Sequence, residues 1–357
     1  MRVKENYTYA LVMPTSMGVR LTPPDRQPVH TSSLFRMQST SAESNVGQIA
    51  ASLGMRVKLL TAFVKDSPIA RFIKDDLRKR NLEYEGPELP QGGPWGYRHQ
   101  FNIADSGYGL RAPLVWNDRA GEVGRTLSVD NFDLEKIFAA EGVGIVHISG
   151  LIAALSESTA SFCMAVAELA RKTGTLISFD LNYRASFWAG REKELREVFE
   201  RLASLADILV GNEEDFQLAL GFDGPINEGS KLPGKVAAYK NMAEEVRARY
   251  PSCHVFANTL REVHSANEHE WGALLWTDGS WYVEEPRAIQ VLDRIGGGDG
   301  FVGGLLYGIL KGWQPGDCLH FGWATGCMAT SVLEDYAQPV SEAQVWSVYQ
   351  GNARVQR

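Results

Sequence analysis

The segment of this chain with the clearest chemical content is Asp293-Arg294-Ile295-Gly296-Gly297-Gly298-Asp299-Gly300-Phe301. Three consecutive glycines leave backbone N–H groups unobstructed, and residues 302–310 after them are glycine and large apolar residues suited to a buried helix. Donors at the positive end of a helix can hold a transferring phosphoryl group. A carboxylate fixed beside them, that of Asp299, could take the proton from an attacking hydroxyl. A glycine-rich turn before a helix is more often only a tight connection. The acid on each side and the apolar helix behind it weigh toward function.

Two other glycine patterns carry less. Gly298, Gly300 and Gly303 spell GxGxxG, but a dinucleotide fingerprint belongs on the first βα turn, with an acid about 20 residues on after a second strand. This one stands near the end of the sequence with too little chain after it. Residues 229–235 spell GxxxxGK, yet Val236 stands where Ser or Thr must reach Mg²⁺. Pro233 and the lack of an apolar strand ahead argue there for a surface loop.

The elements that must position the glycine motif alternate in kind. Residues 9–13 read as a first buried strand, 20–38 as an extended excursion with Pro23, Pro24 and Pro28, and 42–53 as a core helix. A buried strand over 57–64 and an amphipathic helix over 69–80 follow. The rhythm breaks at 92–125, where alternation over 97–103 and 114–117 predicts short antiparallel strands outside the main sheet. It resumes with apolar runs at 144–148, 175–180, 208–210 and 254–258, separated by helical stretches that include 158–171 and 192–204. This is the pattern of an α/β fold: a central, mainly parallel sheet with helices on both faces, whose carboxyl-side strand ends collect the functional loops.

Composition narrows the classes further. The 357 residues are 44% hydrophobic and 22% charged, ordinary for one globular enzyme, and a net charge of −7 gives no basic field for nucleic acid. Cys163, Cys253, Cys318 and Cys327 form no CxxC pair and suit reduced, buried thiols in a cytoplasmic protein. The apolar run at 9–13 is too short for a signal peptide or a membrane span.

The 293–301 motif resembles the signature of the ribokinase-type, or PfkB, carbohydrate kinases, in which a glycine-rich anion hole precedes the catalytic Asp. Three more segments are similar to the 2-keto-3-deoxygluconate kinases of that family: Arg20-Leu21-Thr22-Pro23-Pro24, Phe179-Asp180-Leu181-Asn182-Tyr183-Arg184 with Trp188, and Thr259-Leu260-Arg261-Glu262. The similarity runs from about residue 10 to about residue 330.

The resemblance implies a ribokinase-like fold, with a kinase domain over residues 1–19, 40–96 and 118–357 and a small β lid from 20–39 and 97–117. It also implies ATP and Mg²⁺ as cofactors, leaves room for a monovalent cation, and suggests a homodimer joined through the lid. Gly296, Gly297 and Gly298 would donate to the phosphate, and Asp299 would be the base. Asn212, Thr259 and Arg261 would face the nucleotide. Asp215, where the family's N-x-x-E stretch has Glu, would hold Mg²⁺ through water. Arg184 and Arg119 would take the carboxylate of a sugar acid with their guanidinium forks, beside Asn117, Asn45 and Asn182. Asn117 stands where relatives carry Tyr, Thr40-Ser41 replace the paired glycines that border the sugar, and Thr15-Ser16 stand where Gly-Glu is common. The expected reaction is phosphorylation of 2-keto-3-deoxygluconate or a close sugar acid. The alternatives are a neutral-sugar kinase such as a fructokinase, or a sugar-binding regulator without turnover.

Overall fold

The structure is a computed structural model that describes residues 1–223 and 232–354. The GxxxxGK match at 229–235 therefore begins outside the described residues.

Nine strands form the main sheet in the spatial order Ser280–Gln290, Glu268–Thr277, Val255–Val263, Ile208–Gly211, Leu176–Asp180, Val143–Ser149, Tyr9–Pro14, Val57–Leu60, Glu83–Glu85. From Val255–Val263 onward every neighbouring pair is parallel, and the two strands beyond it are added antiparallel. The inner parallel strands, such as Tyr9–Pro14 and Val143–Ser149, are buried along their whole length, as both faces of a helix-covered sheet require. One apolar core lies on each face. Phe162, Phe179 and Phe199 anchor the first, and Ile49, Phe301, Leu305 and Trp271 the second.

A separate four-stranded sheet stands off this body, in the order Arg36–Thr40, Gly18–Thr22, Phe101–Asp105, Leu114–Asp118. Phe101–Asp105 and Leu114–Asp118 pair antiparallel, as the alternation predicted, whereas the central pair, Val19 to Leu21 against Phe101 to Ile103, is parallel. The two strands are far apart in sequence and meet only after the chain has built one edge of the main sheet, so no hairpin constrains their direction. The strand expected over 97–103 forms only over Phe101–Asp105, because Tyr97 N–H closes a turn onto the Gln91 carbonyl at 2.7 Å. The strand expected over 57–64 divides, since Phe63–Val64 leaves the main sheet to pair with Glu88–Leu89.

Among the described residues no helix is long and apolar enough to cross a membrane. All four cysteines are free and buried.

Candidate active site

The glycine motif is shaped by its first member. Gly296 has φ 82°, and a Cβ there would sit 1.8 Å from the Asp335 carbonyl oxygen, so conformation and space both demand glycine. The helix behind it runs Gly297–Leu310 and thus begins inside the glycine run, earlier than the apolar stretch alone suggested. Gly297, Gly298 and Asp299 are its first turn, where backbone N–H groups have no intrahelical acceptor. A Cβ on Gly298 would meet nothing within 4 Å: that position faces open space.

Asp299 stands in this first turn with its carboxylate held by Asn45, whose Nδ2 donates to Oδ2 at 2.9 Å. Asn45 comes from the buried helix Ala42–Ser52. Burial pushes the Asp299 pKa up to about 7; the Asn45 bond and the Arg184 charge oppose the rise, and Asp335 and Glu43 add to it. A carboxylate poised near neutrality matches the demand on a general base.

Two further acids come from strand ends. Asp180 closes Leu176–Asp180, and burial raises its carboxyl well above the usual range, with Asp215 and Asp299 contributing. The sequence reading noted this residue within its motif but gave it no role; the signal missed was an acid as the last residue of a buried strand. Its Oδ1 accepts from Asn182 N–H at 3.1 Å, and Asn182 takes φ 38°, a left-handed conformation that non-glycine residues enter at a cost. Asp215 accepts the N–H of Asn212 at 2.8 Å and the N–H of Tyr183 at 2.8 Å. It closes a capping box at the start of Glu213–Leu220 and ties two strand ends together.

These acids enclose a cavity of about 110 Å³ lined also by Asn182, Arg184, Asn212, Thr259 and Gly298. Among the described residues no group of three or more His, Cys, Asp or Glu side chains is arranged to hold a metal ion. Asp180 and Asp215 are the carboxylates of this cavity that could reach a hydrated Mg²⁺ through its waters.

The neighbouring cleft, about 660 Å³, is bordered by Asp299 and Gly298, by Asn117 of the small sheet, and by Arg119 just after that sheet's last strand. Arg184 lines both hollows and, among the described residues, donates only to the Tyr183 carbonyl, at 2.7 Å. Arg119 is more committed: its Nη1 meets the buried Glu122 at 2.7 Å and its guanidinium lies 5.3 Å from the Phe187 ring. Thr40 and Ser41 border the cleft, but their hydroxyls are engaged in the protein. Thr40 donates to Asp335 at 2.7 Å, and Ser41 caps the following helix by accepting from Ser44 N–H at 3.0 Å. Thr259, Arg261 and Arg294 complete the far rim, with the Arg261 guanidinium 4.5 Å from the Trp271 ring. A hollow of similar volume beside Lys4, Tyr7 and Gly142, at the amino ends of the strands, gathers none of these residues.

Known proteins similar to this chain include carbohydrate kinases. The chain is 27% identical over 322 residues to a 2-dehydro-3-deoxygalactonokinase of Haloferax volcanii, covering 89% of this chain and 90% of that one. A 5-dehydro-2-deoxygluconokinase of Clostridium beijerinckii is 26% identical over 306 residues, 85% of this chain and 81% of its own. The solved structure of a 2-dehydro-3-deoxygluconokinase from Thermotoga maritima superposes with a TM-score of 0.86 at 26% identity, covering 97% of this chain and 100% of that one. Residues 42–342 match the profile of the pfkB family carbohydrate kinases, and the chain belongs to that family of phosphotransferases acting on a hydroxyl group.

Proposed function

We propose that this kinase transfers the γ-phosphoryl group of ATP to a hydroxyl of 2-keto-3-deoxygluconate or a close keto-deoxy sugar acid. The observation that carries the choice of substrate is Arg184: it lines the cleft that holds Asp299, and it pairs with no carboxylate among the described residues. A guanidinium that makes no salt bridge among the described residues, beside a phosphoryl-transfer turn, suits the carboxylate of an acceptor. The relatives support the same class, since all three are named for keto-deoxy sugar acids.

In this reading Asp299 accepts the proton of the acceptor hydroxyl as its oxygen bonds to the γ-phosphorus and the bond to the ADP oxygen breaks. The N–H groups of the Gly296, Gly297 and Gly298 turn face the charge that builds on the phosphoryl oxygens. Asn45 fixes the Asp299 carboxylate, and Asn182 and Asn117 border the acceptor. Asn212, Thr259 and Arg261 line the nucleotide side. Mg²⁺, held through water by Asp215 and Asp180, would neutralise phosphate charge. The small sheet acts as a lid over residues 20–39 and 97–117 that excludes water from competing as acceptor. Its outer side exposes Leu34, Met37, Leu114 and Trp116, an apolar face that a second copy would cover in a homodimer.

The test is a screen of ADP release with Mg²⁺ and ATP over keto-deoxy sugar acids, aldonic acids and neutral hexoses. Turnover with acids at least tenfold above that with neutral sugars is expected; a preference for fructose or another neutral sugar would overturn the substrate assignment.

A further inference from the structure

A cluster of deeply buried charges lies beside the glycine turn, where Arg20 and Asp335 also help to line the cleft. Arg20, on the lid strand Gly18–Thr22, is 1% exposed, and its fork donates Nη2 to Asp293 and Nη1 to Asp335, both also buried. Each partner grips the turn in its own way. Asp293 Oδ1 accepts from Ile295 N–H at 3.0 Å, which fixes the chain as it enters the glycines. Asp335 presents the backbone oxygen against which Gly296 packs, and its Oδ2 accepts from Thr40 Oγ1 at 2.7 Å. One guanidinium therefore joins the entry to the phosphate turn, its floor, and two of the four lid strands, Gly18–Thr22 and Arg36–Thr40.

A second buried guanidinium braces the same place. Arg80 donates to the Ser39 and Ser44 carbonyls at 3.2 and 3.1 Å and lies 3.7 Å from the ring of Tyr336, the residue after Asp335. Desolvating such ions costs about as much as their attraction returns, so a triad of this kind is weak evidence for stability alone. What it supplies is geometry: two carboxylates cannot both bond one planar fork unless the segments bearing them keep a fixed separation.

We infer that Arg20 is a positioning residue for phosphoryl transfer, clamping Asp293 and Asp335 so that the Gly296–Gly298 N–H groups stay aimed at the transferring group and move in register with the lid. The inference rests on the reading of that turn as the phosphate holder. A turn about 1 Å out of place loses on the order of a hundredfold in rate, and the loss falls on kcat because the donors act on charge that exists fully only in the transition state.

Four proteins test it: wild type, Arg20→Lys, the triple variant Arg20→Met with Asp293→Asn and Asp335→Asn, and Gly298→Ala. Melting temperature, kcat and the KM for Mg·ATP are measured with 2-keto-3-deoxygluconate as acceptor. Arg20→Lys keeps the charge but not the fork, and the triple variant removes all three buried charges together, so neither leaves the two carboxylates without a counter-charge. The expected result is a kcat lowered by roughly a hundredfold in whichever variants melt near wild type, with KM for Mg·ATP changed by less than about threefold. A folded Arg20→Lys or triple variant with kcat within about threefold of wild type overturns the inference while leaving the function intact. If Gly298→Ala also turns over like wild type, or wild type transfers no phosphoryl group, the reading of the turn fails and the inference fails with it.

Discussion

Replacing Asp299 with Asn should remove the activity and stabilise the protein, and the two effects have separate origins. Asn keeps the shape and can still accept the Asn45 Nδ2 hydrogen bond now made at 2.9 Å, so the site should hold its form. It cannot take a proton from the acceptor hydroxyl, and loss of a general base costs about a hundred- to ten-thousand-fold in kcat. The stability gain follows from the raised pKa. An unfolded Asp titrates near 3.8 and the folded one near 7, so between these values the native state holds a proton that the unfolded state has lost. Stability of the wild type therefore falls as pH rises through that window. At about 1.4 kcal/mol per unit the shift corresponds to ~4 kcal/mol, and water in the open cleft reduces this to about 2 kcal/mol. Unfolding entropy of ~2.1 cal/mol/K per residue over 357 residues turns this into about 3 °C. Calorimetry at pH 4 and at pH 8 is the assay: the melting temperatures of variant and wild type should coincide at pH 4 and separate by a few degrees at pH 8. Equal differences at both pH values would refute the burial argument, and a kcat above a tenth of wild type would remove Asp299 from the role of base. Wild-type kcat/KM should rise with pH through a midpoint near 7.

Three further outcomes are expected. Gly298→Ala adds a methyl that touches nothing in the protein but projects toward the cleft, so the melting temperature should hold or rise, by about 0.5–1 kcal/mol of helix propensity, while kcat falls at least tenfold; unchanged turnover would exclude this position from phosphate contact. Asp215→Ala should raise the Mg²⁺ concentration for half-maximal rate and move the acceptor KM little, with a titration of rate against Mg²⁺ as the check; an unmoved midpoint would leave Asp215 as the helix cap it also is. Arg184→Met should cut kcat/KM for a sugar acid by about ten- to a hundredfold, one charge-assisted contact of ~1.5–3 kcal/mol, and leave a neutral sugar nearly untouched. Arg119→Met should instead lower the melting temperature as well, because it strands the buried Glu122 carboxylate, and equal losses on acid and neutral acceptors in both variants would take the arginines out of acceptor recognition.

The alternation of strand and helix, and with it the parallel sheet, was legible in the sequence because strands buried on both faces are written as continuous apolar runs. The glycine run and Asp299 were legible for a related reason, since a helix start that must expose N–H groups tolerates few residue types. The acids and amides that follow strands at 180–184 and 212–215 were legible through the family resemblance, and they fall where the carboxyl end of a parallel strand must hand the chain to a loop. What the sequence could not decide was pairing across distance. The direction of Gly18–Thr22 against Phe101–Asp105 follows from the path of the intervening chain. Whether a hydroxyl at Thr40 or Ser41 faces an acceptor or the protein depends on Asp335 and on the helix it caps. Arg119 and Arg184 read alike as residues, yet the fold ties Arg119 to a buried acid through a salt bridge, while among the described residues Arg184 forms no salt bridge and acts on Asp180 and Asp299 only through its charge. Arg20, which reads as one charge on a proline-rich excursion, becomes the node between Asp293 and Asp335 beside the glycine turn once those residues are brought to it. Desolvation and ion pairing depend on what surrounds a group in three dimensions, and that surrounding comes from segments remote in sequence.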